Sequence, residues 1–447
     1  MRLRTSLLAI GIAGACAAPS SALAAWTAPV PIGSGTQSNQ VASGAFGGSV
    51  LTGWLGSTAF LSVRQGDGMF SAPKQITVAD PFEKVWDAGL AADGDAVVLT
   101  IRRHTPTQRI RATFVTAAGA RSGPMTISDQ AHSATAPQLD VAADGTAVAA
   151  WQWHDRAGWR VQAAIRRPGQ ARFDKPQTLS PPAPTIHRNQ QRPWIQVAAG
   201  NGGRAVVTWQ LGGSSDLPEY PLHVLSAGTG SVFSADQALA GAGGFADVGL
   251  AVSPSGDVQV AYLDEHFMGH VAASSLRVAQ GVAGGPLSSP VVLSAGGHGT
   301  SSGPQVAAAF SQDGTATVAW AKPGDQYEQG GVLEVFTRAP GGAFGAAQEV
   351  AVGAEGVVLA GGPSGSAVLS WMHDTPVPTH PVWAVHAVTR PGAGGPFSAD
   401  ETISSAGLNA LWPSVAMTAS GDALATWVTN TSGGGDGQLT AALHPAG

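Results

Sequence analysis

The sequence predicts an all-β protein built from one repeat that occurs eight times. In each copy a glycine is followed, six residues later, by a position that is usually tryptophan, called here the aromatic slot. The glycines are Gly48, Gly94, Gly145, Gly203, Gly256, Gly314, Gly365 and Gly421, and the slots hold Trp54, Thr100, Trp151, Trp209, Tyr262, Trp320, Trp371 and Trp427. Successive copies are 46 to 58 residues apart, and self-similarity at such a period is typical of stacked or circular repeat architectures.

The third copy illustrates the strands within one repeat. Apolar runs at 138–143 and 146–151 flank Asp144-Gly145, and further runs follow at 160–166 and 173–180. An Asp-Gly pair between two apolar runs predicts a tight hairpin in which both turn residues have a positive φ. We therefore expect four antiparallel strands in each copy.

The fourth strand usually opens with an aromatic residue or leucine, and the chain termini interlock. The opening residues are Phe70, Phe173, Phe233, Leu287, Phe344 and Phe397, with Arg121 at that place in the second copy. The eighth copy stops after its third strand, whereas residues 26–32 resemble the fourth strand at 70–76. The N-terminal segment is therefore predicted to be the outer strand of the last copy, which closes a ring without open sheet edges. This describes an eight-bladed β-propeller of four-stranded antiparallel blades, in one domain over residues 26–447.

The first 25 residues are typical of a secretory signal peptide. Arg2 and Arg4 precede an apolar core at 7–15, and an A-x-A cleavage pattern follows at 22–24. Cys16 leaves a lipoprotein signal as the alternative. No later stretch reaches about 18 consecutive apolar residues, so we expect no transmembrane segment after cleavage. These features predict an exported protein that is secreted, periplasmic or at the cell surface.

Cys16 is the only cysteine, so the cleaved chain would contain none. Disulfides, thiolate metal sites and a cysteine nucleophile are thereby excluded from it. His266 and His270 with Asp264 are a weak metal-binding pattern, because the stretch reads as a loop rather than a helix. We expect no metal site and no cofactor.

The aromatic slots themselves are interpreted as structural. The second strand is almost wholly apolar, as at 205–209, which is expected when both faces of a strand are buried between neighbouring blades. Aromatic platforms for sugars are the alternative function of these residues.

Polar residues cluster in the predicted links between second and third strands and between blades. In an up-and-down sheet these links share one side of the disc, called here the loop face, and the short glycine turns share the other, called the turn face. Function is most often carried by such varied polar loops, although solvated loops are also polar without any function. The candidate ligand-binding residues are Arg103, His104, Trp153, His154, Asp155, Arg156, His187, Glu219, Tyr220, Asp264, His266, Tyr327, Glu328, His373 and Asp374.

Charge is unevenly distributed along the chain. Residues 96–128 and 156–173 each hold five arginines and no acidic residue, although the whole chain has a net charge of −6. This basic sector of the second and third copies could meet an acidic polymer, or it could be solvated arginines. A nucleic-acid partner is not expected, because aromatic and basic residues do not interleave in the sequence.

Two turns, Ser-Pro-Ser-Gly at 253–256 and Gln-Asp-Gly at 312–314, resemble those of TolB-type and WD40-like exported propellers. The resemblance covers the repeat over the whole chain after residue 25 and implies a fold but no ligand. Sialidase Asp boxes, S-x-D-x-G-x-T-W, are not matched, because the Asp and Gly are adjacent here. The quinoprotein A-x-D-x-x-x-G-K-x-x-W pattern and integrin-type calcium loops are also missing.

Two functions remain open from the sequence. The first is an exported, monomeric binding or scaffold module that recognises a glycan, a wall polymer or a protein on its loop face. The second is a glycoside hydrolase of sialidase-like propeller type, with its acid and base drawn from Asp155, Glu219, Asp264, Glu328 or Asp374, and with Tyr220 or Tyr327 beside a glutamate.

Overall fold

The computed structural model describes residues 25–36, 49–55, 58–63, 71–72, 74–75, 82–104, 107–183, 185–186, 189–190, 192–211, 221–239, 247–268, 271–298, 305–324, 331–375, 382–430 and 437–446. Within these ranges the only helical segment is the 3-10 turn Pro363–Gly365, and β-strands form the rest of the regular structure. The predicted signal peptide lies outside them, apart from its last residue, and stays a prediction.

The strands are numbered in chain order and form successive sheets, called the first to the eighth. The N-terminal strand is β1 (Val30–Thr36). The first four sheets contain β2 (Ser49–Leu55), β3 (Thr58–Val63) and β4 (Lys74–Gln75); β5 (Glu83–Leu90), β6 (Ala96–His104), β7 (Thr107–Val115) and β8 (Met125–Thr126); β9 (Ser133–Val141), β10 (Ala147–Asp155), β11 (Gly158–Arg166) and β12 (Gln177–Thr178); then, after a small hairpin of β13 (Thr185–Ile186) and β14 (Asn189–Gln190), β15 (Pro193–Gly200), β16 (Arg204–Leu211), β17 (Leu222–Ala227) and β18 (Gln237–Leu239).

The remaining sheets continue the pattern. The fifth to eighth contain β19 (Val248–Val252), β20 (Asp257–Met268), β21 (Val271–Val282) and β22 (Val291–His298); β23 (Val306–Phe310), β24 (Ala316–Lys322), β25 (Val332–Arg338) and β26 (Gln348–Val352); β27 (Ala354–Gly361), β28 (Ala367–Thr375), β29 (Val382–Arg390) and β30 (Glu401–Thr402); and β31 (Asn409–Met417), β32 (Ala423–Asn430) and β33 (Gly437–His444) together with β1.

Each sheet is an antiparallel meander, and the sheets follow one another as blades. From β5 to β31, the first strand of each sheet, its inner strand, contacts the inner strand of the next. Seven of the sheets have four strands, which confirms the all-β propeller fold. The first sheet has three strands among the described residues, and its turn glycine, Gly48, lies outside them, so the count of eight complete blades stays a prediction.

The N-terminal strand closes the last sheet, as predicted. β1 pairs antiparallel with β33, with Val30 opposite Ala441, and the order of this sheet is β1-β33-β32-β31. Next to the strand, the Thr27 N–H donates to the Leu443 carbonyl at 2.7 Å, and the Leu443 N–H donates to the Thr27 hydroxyl at 3.0 Å. The two ends of the described chain thus form one blade.

The repeat glycines occupy left-handed turn positions, but the turn type differs from the prediction. The seven that are described have φ between 78° and 103°. In the Asp144-Gly145 pair of the third sheet only Gly145 has a positive φ, and its N–H donates to the Ala142 carbonyl at 3.0 Å. The expectation of two positive φ angles at Asp144-Gly145 is therefore wrong. A type I turn followed by a left-handed glycine also matches the strand twist, and it leaves Asp144 in an ordinary conformation.

The aromatic slots are buried between sheets. Thr100, Tyr262 and the five described tryptophan side chains in these slots are at most 4% exposed. Most of the described hydrophobic clusters are shared by two neighbouring sheets, as where Trp151 packs with Ile110 of the second sheet and Trp427 packs with Val385 of the seventh. This supports the structural interpretation of the slot, because a large ring fills the gap between adjacent blades.

The fourth strands are shorter than predicted. In the third sheet the strand expected at 173–180 is reduced to Gln177–Thr178, while Phe173 packs into the cluster between the second and third sheets. Phe233 and Leu287 form isolated bridges with the third strands of their sheets, and Arg121 forms the equivalent bridge to Val115. The place at which Arg121 departs from the repeat is thus structurally equivalent to the aromatic positions.

Aspartates tie neighbouring inner strands together. A carboxylate oxygen of Asp87 accepts the Leu139 N–H of the third sheet at 2.8 Å, and Asp140 accepts the Ala199 N–H of the fourth at 2.7 Å. Asp247 accepts the Gln305 N–H of the sixth sheet at 3.1 Å. Burial raises the pKa of all three carboxyls, in Asp87 to about 7, even though these N–H donors favour the charged form.

None of the helical structure in the described ranges has the length and hydrophobicity that crossing a bilayer requires.

Candidate functional site

The polar residues of the loop face mostly belong to strands. Trp153, His154 and Asp155 lie in β10 and pair with Arg160, Trp159 and Gly158 of β11, so that only two residues connect the two strands. The expectation that these residues form a link is therefore wrong, and it is wrong in the same way for His104 in β6, Asp264 and His266 in β20, and His373 and Asp374 in β28. Hairpin ends that project beyond the packed sheets need no apolar side chains, so polarity does not mark where these strands end.

One side of the β10–β11 hairpin tip combines an indole ring with a cation. The Arg160 guanidinium lies over the Trp153 ring, with 5.7 Å between its carbon and the ring centroid. The His132 ring meets the same indole edge-on at 4.7 Å, and its Nδ1 lies 2.8 Å from an Asp129 carboxylate oxygen. Trp153 is 9% exposed and packs into the cluster between the second and third sheets, which fixes this group firmly on the scaffold.

The other side of the same tip repeats the combination. The His154 and Trp159 rings are 4.7 Å apart, and the Arg192 guanidinium carbon lies 4.9 Å from the Trp159 centroid. Arg192 immediately precedes β15, the inner strand of the fourth sheet, so this contact joins the third sheet to the fourth. Cations over indole faces are attracted by the ring quadrupole.

The inner strand β15 presents exposed side chains beside this contact. Arg192, Trp194 and Gln196 alternate along it and are all exposed, whereas Pro193 and Ile195 between them are buried. Trp194 is 65% exposed, and among the described aromatic side chains only Phe82, at 64%, is similarly open. A single exposed apolar side chain is common on protein surfaces, but Trp194 lies two residues from Arg192, the cation over Trp159.

The inner strand of the second sheet carries a similar pair. The Lys84 ammonium lies 6.0 Å from the Trp86 ring centroid, and Trp86 packs against the cluster that contains Trp153. Together these side chains form what we call the tryptophan–cation surface, which consists of Lys84, Trp86, Trp153, Trp159, Arg160, Arg192 and Trp194.

The sequence predicted only part of this surface. Trp153 was a candidate, but Trp86, Trp159 and Trp194 were missed, as were the cations that contact the indoles. The available signal was that these tryptophans fall outside the aromatic slots. The contact between Arg192 and Trp159 forms only in the folded chain, because the two residues belong to different sheets.

Asp155 is held in its charged form. Its Oδ1 accepts the N–H groups of Ala157 at 2.7 Å and Gly158 at 3.1 Å, and its Oδ2 lies 3.3 Å from the Arg160 Nε. Burial alone would raise the pKa of this carboxyl, but the two N–H donors and the Arg160 charge together lower it. A carboxyl with a lowered pKa is poorly suited to act as a general acid.

Asp264 is a structural carboxylate rather than an open one. It is 2% exposed, and its Oδ2 lies 2.6 Å from an Arg277 guanidinium nitrogen. Arg277 stands opposite the slot residue Tyr262, whose pKa burial raises to about 12. This arrangement stabilises the fifth sheet and leaves Asp264 unavailable to a ligand.

His373 and Asp374 are half-buried in the seventh sheet. The His373 ring is 5.3 Å from His386, which in turn stacks on Trp371 at 5.8 Å. The His386 Nδ1 lies 2.8 Å from an Asp400 carboxylate oxygen. These residues belong to the seventh sheet and are not part of the tryptophan–cation surface. His386 contacts the slot residue Trp371 and the neighbouring His373.

The remaining candidates divide into exposed residues and residues without a described side chain. Arg103 and Arg156 are exposed at the ends of the second and third sheets. The side chains of His104 and His266 lie outside the description, as do the whole residues His187, Glu219, Tyr220, Tyr327 and Glu328.

Inner strands also contain strained backbone near the loop face. Ala136 has φ 47° and Trp412 has φ 55°, each at a register shift opposite the slot of its sheet. The Trp412 N–H lies 3.3 Å from the Met372 sulfur. Bulges of this kind re-aim side chains at the rims of sheets.

The described side chains of this surface provide contacts between cations and aromatic rings. Within the ranges that the structure describes, no group of three or more histidine, aspartate or glutamate side chains is placed to hold a metal ion.

Solved structures with related folds include three carbohydrate-active proteins. The NanB sialidase from Streptococcus pneumoniae has 9% sequence identity and a TM-score of 0.40, covering 81% of this chain and 68% of the sialidase. The polysaccharide lyase Uly1 has 9% identity and a TM-score of 0.44, covering 89% of this chain and 87% of the lyase. The α-L-arabinanase from Penicillium chrysogenum has 12% identity and a TM-score of 0.39, covering 65% of this chain and 88% of the arabinanase. No protein-family model matches the sequence, and no curated protein does. Similarity at this level assigns no activity and no ligand to the chain.

Proposed function

We propose that the protein is an exported glycan-binding module and that the glycan binds to the tryptophan–cation surface. The observation that carries this proposal is Trp194, an indole that is 65% exposed on an inner strand next to Arg192. The C–H face of a sugar ring can pack on an exposed indole while the sugar hydroxyls remain hydrated.

The scaffold supports binding because it holds the surface rigid. Trp153, Trp159 and Trp194 all lie in β-strands, and Trp153 is anchored in the core between two sheets. A surface that is already ordered loses little conformational entropy when a ligand binds.

Binding is better supported than glycoside hydrolysis. Of the five proposed carboxylates, Asp155 has a lowered pKa and Asp264 is enclosed in a buried ion pair. A hydrolase needs one carboxyl that keeps its proton near neutral pH beside the scissile bond. Glu219 and Glu328 lie outside the described residues and add no support.

The first test is the Trp194→Ala variant of residues 26–447. We expect a glycan array to identify a ligand for the unaltered protein, and calorimetry to show at least about tenfold weaker binding by the variant, a loss of about 1.4 kcal/mol. Val232→Ala is the matched control, because Val232 is 70% exposed on the turn face of the same sheet. The proposal fails if no glycan binds, or if both variants bind a glycan as tightly as the unaltered protein.

A further inference from the structure

Among the residues that the structure describes, the acidic side chains beside the tryptophan–cation surface contact basic side chains. Glu83 lies 2.9 Å from Arg111, Asp129 lies 2.8 Å from His132, and Asp155 lies 3.3 Å from Arg160. None of these carboxylates is left to repel an anionic ligand.

Several cations at the same surface have no acidic partner. Lys84, Arg156 and Arg192 are exposed, and among the described residues none of them has an ion pair. Arg103 is exposed at the neighbouring end of β6 and likewise forms no described ion pair. Among its described residues the surface therefore has more basic than acidic side chains that lack an ion pair, on a chain whose net charge is −6.

Two of the cations are held in place by rings. Arg192 lies 4.9 Å over Trp159, and Lys84 lies 6.0 Å from Trp86. A guanidinium that stacks on an indole keeps its N–H groups pointing outward in its own plane. That geometry matches a carboxylate or a phosphate, which can accept two of the N–H groups at once.

We infer that the ligand of this surface is an anionic glycan, a polysaccharide that bears carboxylate or phosphate groups, with Arg192 and Lys84 contacting the anions and Trp194 packing on a sugar ring. This inference rests on the proposed glycan-binding function and adds the charge of the ligand.

A glycan fits the surface better than a single-stranded nucleic acid does. Successive bases need a row of open ring faces on which to stack. Trp153 is contacted by both Arg160 and His132, and Trp159 by both Arg192 and His154. Those two rings position cations, and Trp194 is the ring of this surface with the largest exposed fraction, 65%.

The test uses calorimetry on residues 26–447 with four probes: an oligogalacturonate, its methyl ester, a phosphate-bearing oligomannoside and an oligothymidylate of similar charge. We expect at least one of the two anionic non-nucleic probes to bind at least about tenfold more tightly than the neutral ester. Its affinity should fall as salt rises from roughly 50 to 200 mM, because the contacts are ionic. A higher affinity for the carboxylate probe or for the phosphate probe would identify which anion the surface binds.

The key variant is Lys84→Gln/Arg192→Gln, which we expect to lose at least about tenfold in affinity for the anionic probe. Its matched control is Arg121→Gln/Arg172→Gln, which removes the same charge from exposed arginines on the turn face of the second and third sheets. Equal losses in both variants would overturn the inference, because binding would then reflect net charge alone.

Other outcomes separate the two proposals. If the ester binds as tightly as the acid and Trp194→Ala weakens both, glycan binding stands and the anionic ligand is wrong. If the oligothymidylate binds most tightly, the surface is a nucleic-acid site and both proposals fall. If no probe and no array glycan binds, both fall as well.

Discussion

At the scale of single residues, Thr100 is the exception among the aromatic slots. Its hydroxyl donates to Glu83, and the same carboxylate lies 2.9 Å from an Arg111 guanidinium nitrogen. Arg111 also donates to the Pro124 carbonyl at 2.9 Å. Glu83 is 8% exposed, so a polar group of three side chains fills the space that an indole takes in other sheets.

Removing Arg111 alone should destabilise the folded state more than removing Glu83 and Arg111 together. We expect Arg111→Met to lower the free energy of unfolding by about 3 to 5 kcal/mol, because it leaves the buried Glu83 charge without its partner. The double variant Glu83→Met/Arg111→Met should recover a large part of that loss in denaturant titrations. A double variant that is no more stable than the single one would contradict this account.

At the scale of strands, the residue opposite the slot on the third strand is polar in all sheets but the first, where Ala59 stands opposite Trp54. In the second to eighth sheets these residues are Arg111, Gln162, His223, Arg277, Glu334, His386 and Thr440. The Trp151 indole donates to Gln162 at 3.2 Å, and Trp209 stacks on His223 with ring centroids 3.8 Å apart. The second and third strands thus form one paired layer across each sheet.

This polar partner could not be predicted from the sequence. The slot lies at a constant distance from its glycine because a short hairpin joins the inner and second strands. The partner lies beyond the hairpin end that links the second and third strands, and the length of that connection varies between copies. Register across a variable connection depends on pairing in three dimensions, which a one-dimensional period does not contain.

The pairing of β1 with β33 can be tested by a disulfide. Val30 is opposite Ala441, so cysteines at both positions of residues 26–447, which lack cysteine, should form a bond. The chain-entropy estimate for so long a loop is about 6 kcal/mol, of which engineered bonds deliver a part. We expect faster migration on non-reducing gels and a higher melting temperature that reductant reverses.

The matched control for this disulfide is Val30→Cys with Thr440→Cys. Thr440 is the neighbour of Ala441 on β33, and successive side chains of a strand point to opposite faces. This pair should remain reduced. A bond that forms equally well in both variants would contradict the register of β1 on β33.

At the scale of the whole molecule, inner strands are tied by carboxylates that burial pushes toward the neutral form. The raised pKa of Asp87 means that the folded state holds a proton to about pH 7, whereas the unfolded chain releases it near the ordinary value of 3.8. The folded state binds more protons between these values, so its stability falls as the pH rises through that window. Asp129 and Asp155 have lowered pKa values, so their contribution is present above 3.8 and is lost only in more acidic solution.

A pH series of melting temperatures can isolate the effect of Asp87. Relative to the Asp87→Asn variant, the unaltered protein should lose stability as the pH rises from 3.8 to about 7, and the difference should stay constant above that range. Asp93→Asn is the control, because Asp93 is exposed in the turn that follows the same strand. A difference that grows in the opposite direction would contradict the raised pKa.

The overall architecture was more predictable than the site. A glycine with positive φ recurs in each described turn, and an aromatic ring is buried in every described slot except that of Thr100, so both leave a period in the sequence. Trp194 and Arg192 occur once, and their meaning depends on which sheets become neighbours. Residues that occur once leave no period in the sequence, so their role can be recognised only in the folded structure.

The pairing of β1 with β33 has a consequence for how the chain is made. Residues 30–36 are synthesised before residues 437–444, so the first strand waits without a partner until the last blade exists. A product that terminates early keeps one unpaired strand and an incomplete final sheet, both of which are good substrates for proteases. Only a chain that contains both strands can pair both edges of the last blade, so we expect truncated products to be degraded faster than the full chain.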